Sequence, residues 1–444
     1  MERVAPSQLN YDDQLPIAIE SKSQRREFYP EGGSVYGPNG GAHPNVVRIP
    51  INADSMLDVQ NSYLRFNITS AKASSGTMGF DFPQSIIKRL RISSGGVVLE
   101  DINSYNRLYC GILYPTQATT GMLKEGSIAS GQSNSSIGVV ASSVITNQDS
   151  PAHNVLAQVA SGAVVSHTVH LASGLLNMDK YIPLVMMNAG FIIEIEFDVV
   201  GSIGIASGAF TNIDWTVSDI RYMAHLVDLQ RDFYDRLRMV MEGSGGVLQL
   251  AGQTYRHFSG SFPASAGVAS INVPARVKSI KSILFKNTVE ADVALNTTFG
   301  ISNSITKGIT SYQFRIGSVV YPPTAVQVGD DNKGEAYQEL RKAFGTVGSL
   351  DHGGVLLNNF TYLASPTACA LTGAHPVLSP YGLDFEAFNR TALESGVNSA
   401  DRSLPITLEL TAASASATAA TTDVYVLCDA IFYVNLDGTC SVSV

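Results

Sequence analysis

Phe191-Ile192-Ile193-Glu194-Ile195-Glu196-Phe197 alternates along its length, with Ile193, Ile195 and Phe197 on one face and Glu194 and Glu196 on the other. Period two over so short a run predicts a strand in a sheet with one buried face. The pattern returns 213 positions later at Ile406-Thr407-Leu408-Glu409-Leu410. Two more echoes keep the same order along the chain. Gly95-Gly96-Val97-Val98-Leu99 is matched by Gly317-Ser318-Val319-Val320-Tyr321 at an offset of 222. Trp215-Thr216-Val217-Ser218-Asp219-Ile220-Arg221-Tyr222 is matched by the stretch from Thr422 to Tyr433, which sets Asp219 against Asp429 at an offset of 210. Three ordered echoes with a slowly drifting offset predict one domain used twice.

Outward from these echoes, short apolar runs recur between turn residues. Val47, Ile49 and Ile51 alternate with Arg48 and Pro50, and Leu90-Arg91-Ile92 faces Val97-Val98-Leu99 across Ser93-Ser94-Gly95-Gly96, a hairpin signal with glycine where positive φ is needed. Helical periodicity is scarce. It predicts a helix over Asp101 to Leu113, with Ile102, Tyr105, Leu108 and Ile112 on one side, and a counterpart in the second half with Asn332 and Glu335 as a capping pair and Tyr337, Leu340 and Phe344 as its apolar face. A third helix carries Leu229, Phe233, Leu237 and Val240 or Met241 on one face and should stop at Gly243-Ser244-Gly245-Gly246, the best domain boundary in the chain.

The resulting expectation is an all-β protein of two tandem eight-stranded jelly-roll sandwiches with a few short helices, because a jelly roll tolerates long insertions between its strands. Residues 1–44 should be an extended N-terminal arm, 45–228 the first jelly roll, 229–246 a linker helix and glycine hinge, and 247–444 the second jelly roll. The Ser- and Gly-rich stretch from Gly126 to Gly162 reads as an insertion that forms an interaction surface.

Composition limits the function. The 444 residues carry 29 Lys and Arg against 38 Asp and Glu, a net charge of −9. This disfavours a broad nucleic-acid-coating face, which needs clustered cations; the one group is Lys22, Arg25 and Arg26. Charged residues amount to only 15%, where soluble chains average about 25%, so part of the surface is expected to be covered by copies of the same chain. Cys110, Cys369, Cys428 and Cys440 are too scattered for a disulfide framework, which suggests reduced thiols and assembly inside a cell. No secretory h-region and no apolar run of spanning length is visible.

Catalytic motifs with their required spacing are missing from the sequence. His167 and His170 would lie on opposite faces of a strand, which suits two sheet histidines better than a metal site. Glu194 and Glu196 share a face, as a glycosidase pair would, but such alternation is the ordinary wet side of a sheet. Trp215 reads as core more readily than as a sugar platform. The sequons at Asn67, Asn134, Asn296, Asn359 and Asn389 read as chance matches in an Asn- and Thr-rich chain.

Phe28-Tyr29-Pro30-Glu31-Gly32-Gly33, Val47-Arg48-Ile49-Pro50-Ile51, Leu57-Asp58-Val59-Gln60-Asn61-Ser62-Tyr63-Leu64-Arg65-Phe66 and Leu175-Leu176-Asn177-Met178-Asp179-Lys180-Tyr181-Ile182-Pro183-Leu184 resemble the corresponding parts of double jelly-roll major capsid proteins of the tectivirus/adenovirus lineage. The nearest flavour is that of polinton-like viruses, adintoviruses and virophages, and the layout covers most of the chain. The resemblance implies a non-enzymatic structural protein of the virion, assembled inside the host cell. It also implies a homotrimeric, pseudo-hexagonal capsomer that tiles an icosahedral shell around double-stranded DNA without sequence-specific contact. Neighbouring capsomers and minor capsid or penton proteins would be its partners, and no cofactor is expected. The N-terminal arm would place Lys22, Arg25 and Arg26 against neighbouring subunits or genome, or leave them solvated. Tall tower insertions of the family have little room here, so Gly126 to Gly162, and secondarily Pro366 to Ser379, are the candidate protrusions. The competing reading is a trimeric viral spike or receptor- or carbohydrate-binding β-protein, and a jelly-roll glycosidase is a weaker third.

Overall fold

The computed structural model describes residues 20–70, 77–80, 83–117, 137–140, 143–146, 157–160, 164–199, 204–206, 215–289, 301, 308–328, 333–345, 380–387, 393, 395–401, 405–412 and 419–444. Eight strands build a first sandwich: β1 (Ser21–Phe28), β2 (Val46–Ile51), β3 (Met56–Ser70), β4 (Ile87–Ser94), β5 (Val97–Asn103), β6 (Val164–Val169), β7 (Phe191–Phe197) and β8 (Trp215–Leu229). Their sheets run β1-β8-β3-β6 and β2-β7-β4-β5. Eight more build a second: β9 (Val247–Phe262), β10 (Val268–Val273), β11 (Ile280–Thr288), β12 (Ile309–Ile316), β13 (Val319–Gln327), β14 (Tyr381–Asp384), β15 (Ile406–Ala412) and β16 (Ala420–Asn435), with sheets β9-β16-β11-β14 and β10-β15-β12-β13. Adding eight to every strand number of the first sandwich yields the second, and each has the strand order of a jelly roll. The three sequence echoes fall on equivalent pairs: β5 with β13, β7 with β15, and β8 with β16.

Period two does what the pleat requires. In β7, Phe191, Ile193, Ile195 and Phe197 are buried while Glu194 and Glu196 face outward, where Arg48 Nε lies 2.8 Å from Glu194. The hairpin turn between β4 and β5 sets Gly95 and Gly96 at φ 56° and 85°, a left-handed pair that side chains resist. The linker helix α3 (Arg231–Gly243) ends as its glycines direct: Ser244 N donates to Val240 O at 3.0 Å and Gly246 N to Met241 O at 2.7 Å.

Two expectations need correction. Residues 21–28, expected as arm, are β1, the first strand of the first sandwich, paired along β8 from Ser21↔Leu229 to Phe28↔Tyr222. A jelly roll needs eight strands, and only seven of them lie after residue 44. Val35–Tyr36 also pairs with β8. Second, the helix expected from Asp101 starts at Tyr105, because Asp101 is held in β5 by Arg89 across the hairpin (2.7 Å) and Ser104 turns the chain at φ 48°. The helix then runs as α1 (Tyr105–Leu108), a π turn (Tyr109–Leu113) and α2 (Tyr114–Gln117). Within the Gly126 to Gly162 stretch, Ile137–Val140 pairs with Ser143–Thr146, and Ala157–Ala160 pairs with Thr77–Phe80. Pro366 to Ser379 and Asn332 lie outside the described residues, while Glu335 stands in the first turn of α4 (Lys333–Ala343).

Candidate assembly site

The two sandwiches meet along β5, α1 and the loop after β6 on the first, and along β9, β16 and β11 on the second. One apolar core runs through the contact: the cluster that holds Ile102, Leu108 and Ile112 also holds Leu284, Leu340, Tyr425 and Phe432. Backbones approach closely at Gly174, where a Cβ would lie 1.2 Å from the Gln253 carbonyl oxygen of β9. Only glycine fits there.

Polar groups cross this contact out of water. Glu100 of β5 accepts hydrogen bonds from Ser173 Oγ, from Gly174 N (2.9 Å) and from Thr254 Oγ1 of β9 (2.9 Å). Burial pushes its carboxyl above the usual range, and these donors only partly counter that. A second node surrounds Asp423 of β16, 1% exposed. Arg107 of α1 reaches its Oδ2 at 3.1 Å and His257 Nε2 its Oδ1 at 2.9 Å. Burial would raise this carboxyl, but the His257 hydrogen bond and the Arg107 charge outweigh it and hold it below the usual range. Tyr425 donates to Ser104 O at 3.0 Å and packs its ring 4.9 Å from that of His257. A cavity of about 350 Å³ opens beside the node, lined by Asp101, Arg256, His257, Phe258 and Val442. The junction joins the two sandwiches through polar groups that are hydrogen-bonded or ion-paired out of water.

Sequence reasoning did not find Glu100, Arg107, Asp423, His257 or Gly174. A signal existed for Glu100, which shares the inward phase of its strand with Val98 and Ile102 while the neighbouring Asp101 falls on the other face. None existed for the pairing of Arg107 with a residue 316 positions away.

Lys22, Arg25 and Arg26 lie on β1, whose residues 21–26 are exposed on both faces. Arg25 reaches Tyr63 OH at 3.5 Å and Arg26 lies over the Phe28 ring at 5.2 Å. His167 is buried and His170 exposed, and no group of three metal-ligating side chains occurs among the described residues. Glu194 is bonded to Arg48, and Trp215 is fully buried edge-on to Phe197 at 5.6 Å. Cys110, Cys428 and Cys440 are buried and in no disulfide among the described residues; Cys369 and the sequons other than Asn67 lie outside the described residues.

No protein-family model matches the sequence, and no curated protein matches it. Solved structures do resemble it. VP54 of PBCV-1, as fitted into a cryo-EM reconstruction of the virophage Sputnik, superposes with a TM-score of 0.62 at 9% identity over 98% of this chain and 99% of that one. The Faustovirus major capsid protein gives 0.61 at 11% identity over 95% and 92%. The mavirus major capsid protein gives 0.52 at 11% identity over 100% and 95%. At such identities the likeness is one of fold, and the fold is the double jelly roll.

Proposed function

We propose that this double jelly roll is a viral major capsid protein. In this reading three copies form a pseudo-hexagonal capsomer, and capsomers tile an icosahedral shell around double-stranded DNA. Its place is the virion, after assembly inside the host cell; its neighbours are other capsomers and minor capsid or penton proteins, and its activity is assembly, not catalysis. The observation that carries the reading is the repeated eight-strand sandwich joined by a buried junction. Such a unit presents two similar sandwiches at a fixed angle, so three copies supply six. Burying apolar area gains roughly 25 cal/mol per Å², and a surface with few charges loses little of that to desolvation. Within this reading residues 229–246 form the link between the two jelly rolls, and Lys22, Arg25 and Arg26 contact neighbouring subunits or genome.

Sedimentation and negative-stain imaging of the purified chain test the proposal. Trimers one capsomer wide, or closed shells, are the expected outcome. A monomer that binds sugar would overturn it in favour of a receptor- or carbohydrate-binding protein.

A further inference from the structure

Lys281, Glu386 and Asp429 form a buried cluster in the second sandwich, with side chains 8%, 7% and 4% exposed. Lys281 is the extra residue of a bulge in β11, between the ladder pairs Ile280↔Cys428 and Ser282↔Leu427, and a bulge re-aims its side chain. Asp429 follows Cys428 on β16, where its backbone N–H donates to Ser279 O at 3.2 Å. Glu386 lies two residues past β14, placed by the bond from Phe385 N to Lys281 O at 2.7 Å. Lys281 Nζ thus stands 2.8 Å from Glu386 Oε1 and 3.3 Å from Asp429 Oδ1. Ser279 Oγ donates to Asp429 Oδ2 at 2.7 Å, and Gly396 N donates to Ser279 Oγ at 3.0 Å. Gly396 closes the site tightly, since a Cβ there would lie 2.0 Å from Ile280 O.

We propose that Lys281 and Asp429 condense to an isopeptide bond that ties β11 to β16 covalently, with Glu386 as the proton carrier. The proposal does not depend on the capsid reading. A buried ion pair needs one carboxylate. Amide formation needs two, a polarised carboxyl to be attacked and a second group to move protons, and the cluster holds both. The reaction balances on these residues alone. Glu386 takes a proton from the Lys281 ammonium, the freed lone pair attacks Asp429 Cγ, and the carbonyl π pair moves to Oδ2, where Ser279 donates. Collapse of that adduct expels Oδ1, and the two protons lost by Nζ reach it through Glu386, so that it leaves as one water. Glu386 ends as it began, and no oxidant or reductant takes part. Holding amine and carboxyl in contact stands in for an effective concentration of about 10⁵–10⁸ M, and a closed site lacks the water that would reverse the step. Burial alone would lower the Lys281 ammonium, but the Glu386 hydrogen bond and the Asp429 charge outweigh it and hold it above the usual range. The amine therefore exists only once Glu386 has taken a proton, which makes Glu386 the group that sets the rate.

The test is the mass of the full chain after denaturation. Wild-type protein should be lighter than its sequence by one water, and trypsin should fail to cut after Lys281. Fragmentation of the resulting branched peptide should place the bond between Lys281 Nζ and Asp429 Cγ. Lys281→Arg and Asp429→Ala should keep their full mass, and Glu386→Gln should form the bond about a hundredfold or more slowly. Where these variants fail to fold, the wild-type mass still decides. Wild-type chain with native circular dichroism and full mass after prolonged incubation reduces the cluster to an ion triad and overturns the proposal. So does a water loss that persists in Lys281→Arg, or a bond that fragmentation assigns to Glu386.

Discussion

Glu100 and Asp423 lie in one junction and respond to pH with opposite sign. The Asp423 carboxyl is lower in the folded chain than unfolded, so its contribution is complete above the unfolded value and disappears as pH falls through the folded one. Glu100 is raised, so its contribution is complete below the unfolded value and disappears as pH rises through the folded one. Melting curves recorded across pH should therefore lose their acid-side decline in part with Asp423→Asn and their decline on the rising side in part with Glu100→Gln. Asp423→Asn also removes the buried carboxylate that Arg107 and His257 both reach, at a cost of about 3–5 kcal/mol near neutrality. Glu100→Ala takes the acceptor from four donors, Ser173 Oγ, Gly174 N, Leu175 N and Thr254 Oγ1, each worth roughly 1–3 kcal/mol, and should melt well below Glu100→Gln, which keeps an acceptor oxygen. Gly174→Ala drives a Cβ into the Gln253 carbonyl and should cost several times the ~1 kcal/mol of an average substitution.

Among elements, the linker helix shows how far periodicity reaches. A 3.6-residue repeat left Val240 and Met241 equally placed on its apolar face; packing selects Met241, 1% exposed, and leaves Val240 59% exposed. Met241→Ala should cost about 2–5 kcal/mol in urea unfolding, and Val240→Ala less than about 0.5 kcal/mol. Equal effects would mean that the helix packs on a different face. β1 illustrates the opposite case. Its sequence, Ser21-Lys22-Ser23-Gln24-Arg25-Arg26-Glu27-Phe28, has no apolar alternation because six of its residues bury neither face. Such a strand exists through its ladder to β8, and nothing local announces it.

For the whole molecule, a shared core predicts shared unfolding. Trp215, the sole tryptophan, reports on the first sandwich, and Cys428, whose thiol burial pushes up to about 12, reports on the second. Tryptophan emission and site-resolved labelling of Cys428 should change at one temperature; two separated transitions would mean that the junction is weaker than its packing implies. The amino-acid sequence alone determined the strands with a buried face, the hairpin glycines, the helix stop and the duplication, because alternation, φ preference and period are properties of neighbouring residues. It also located the equivalent strand pairs through Ile193 and Ile406, Val97 and Val319, and Trp215 and its echo. Only the tertiary structure decided that β1 completes the first sandwich, that Asp101 belongs to a strand, and that Glu100, Gly174 and Asp423 join the halves. Those outcomes depend on which surfaces meet across hundreds of residues, and the energy of burying a carboxylate among its donors exists only once they have met.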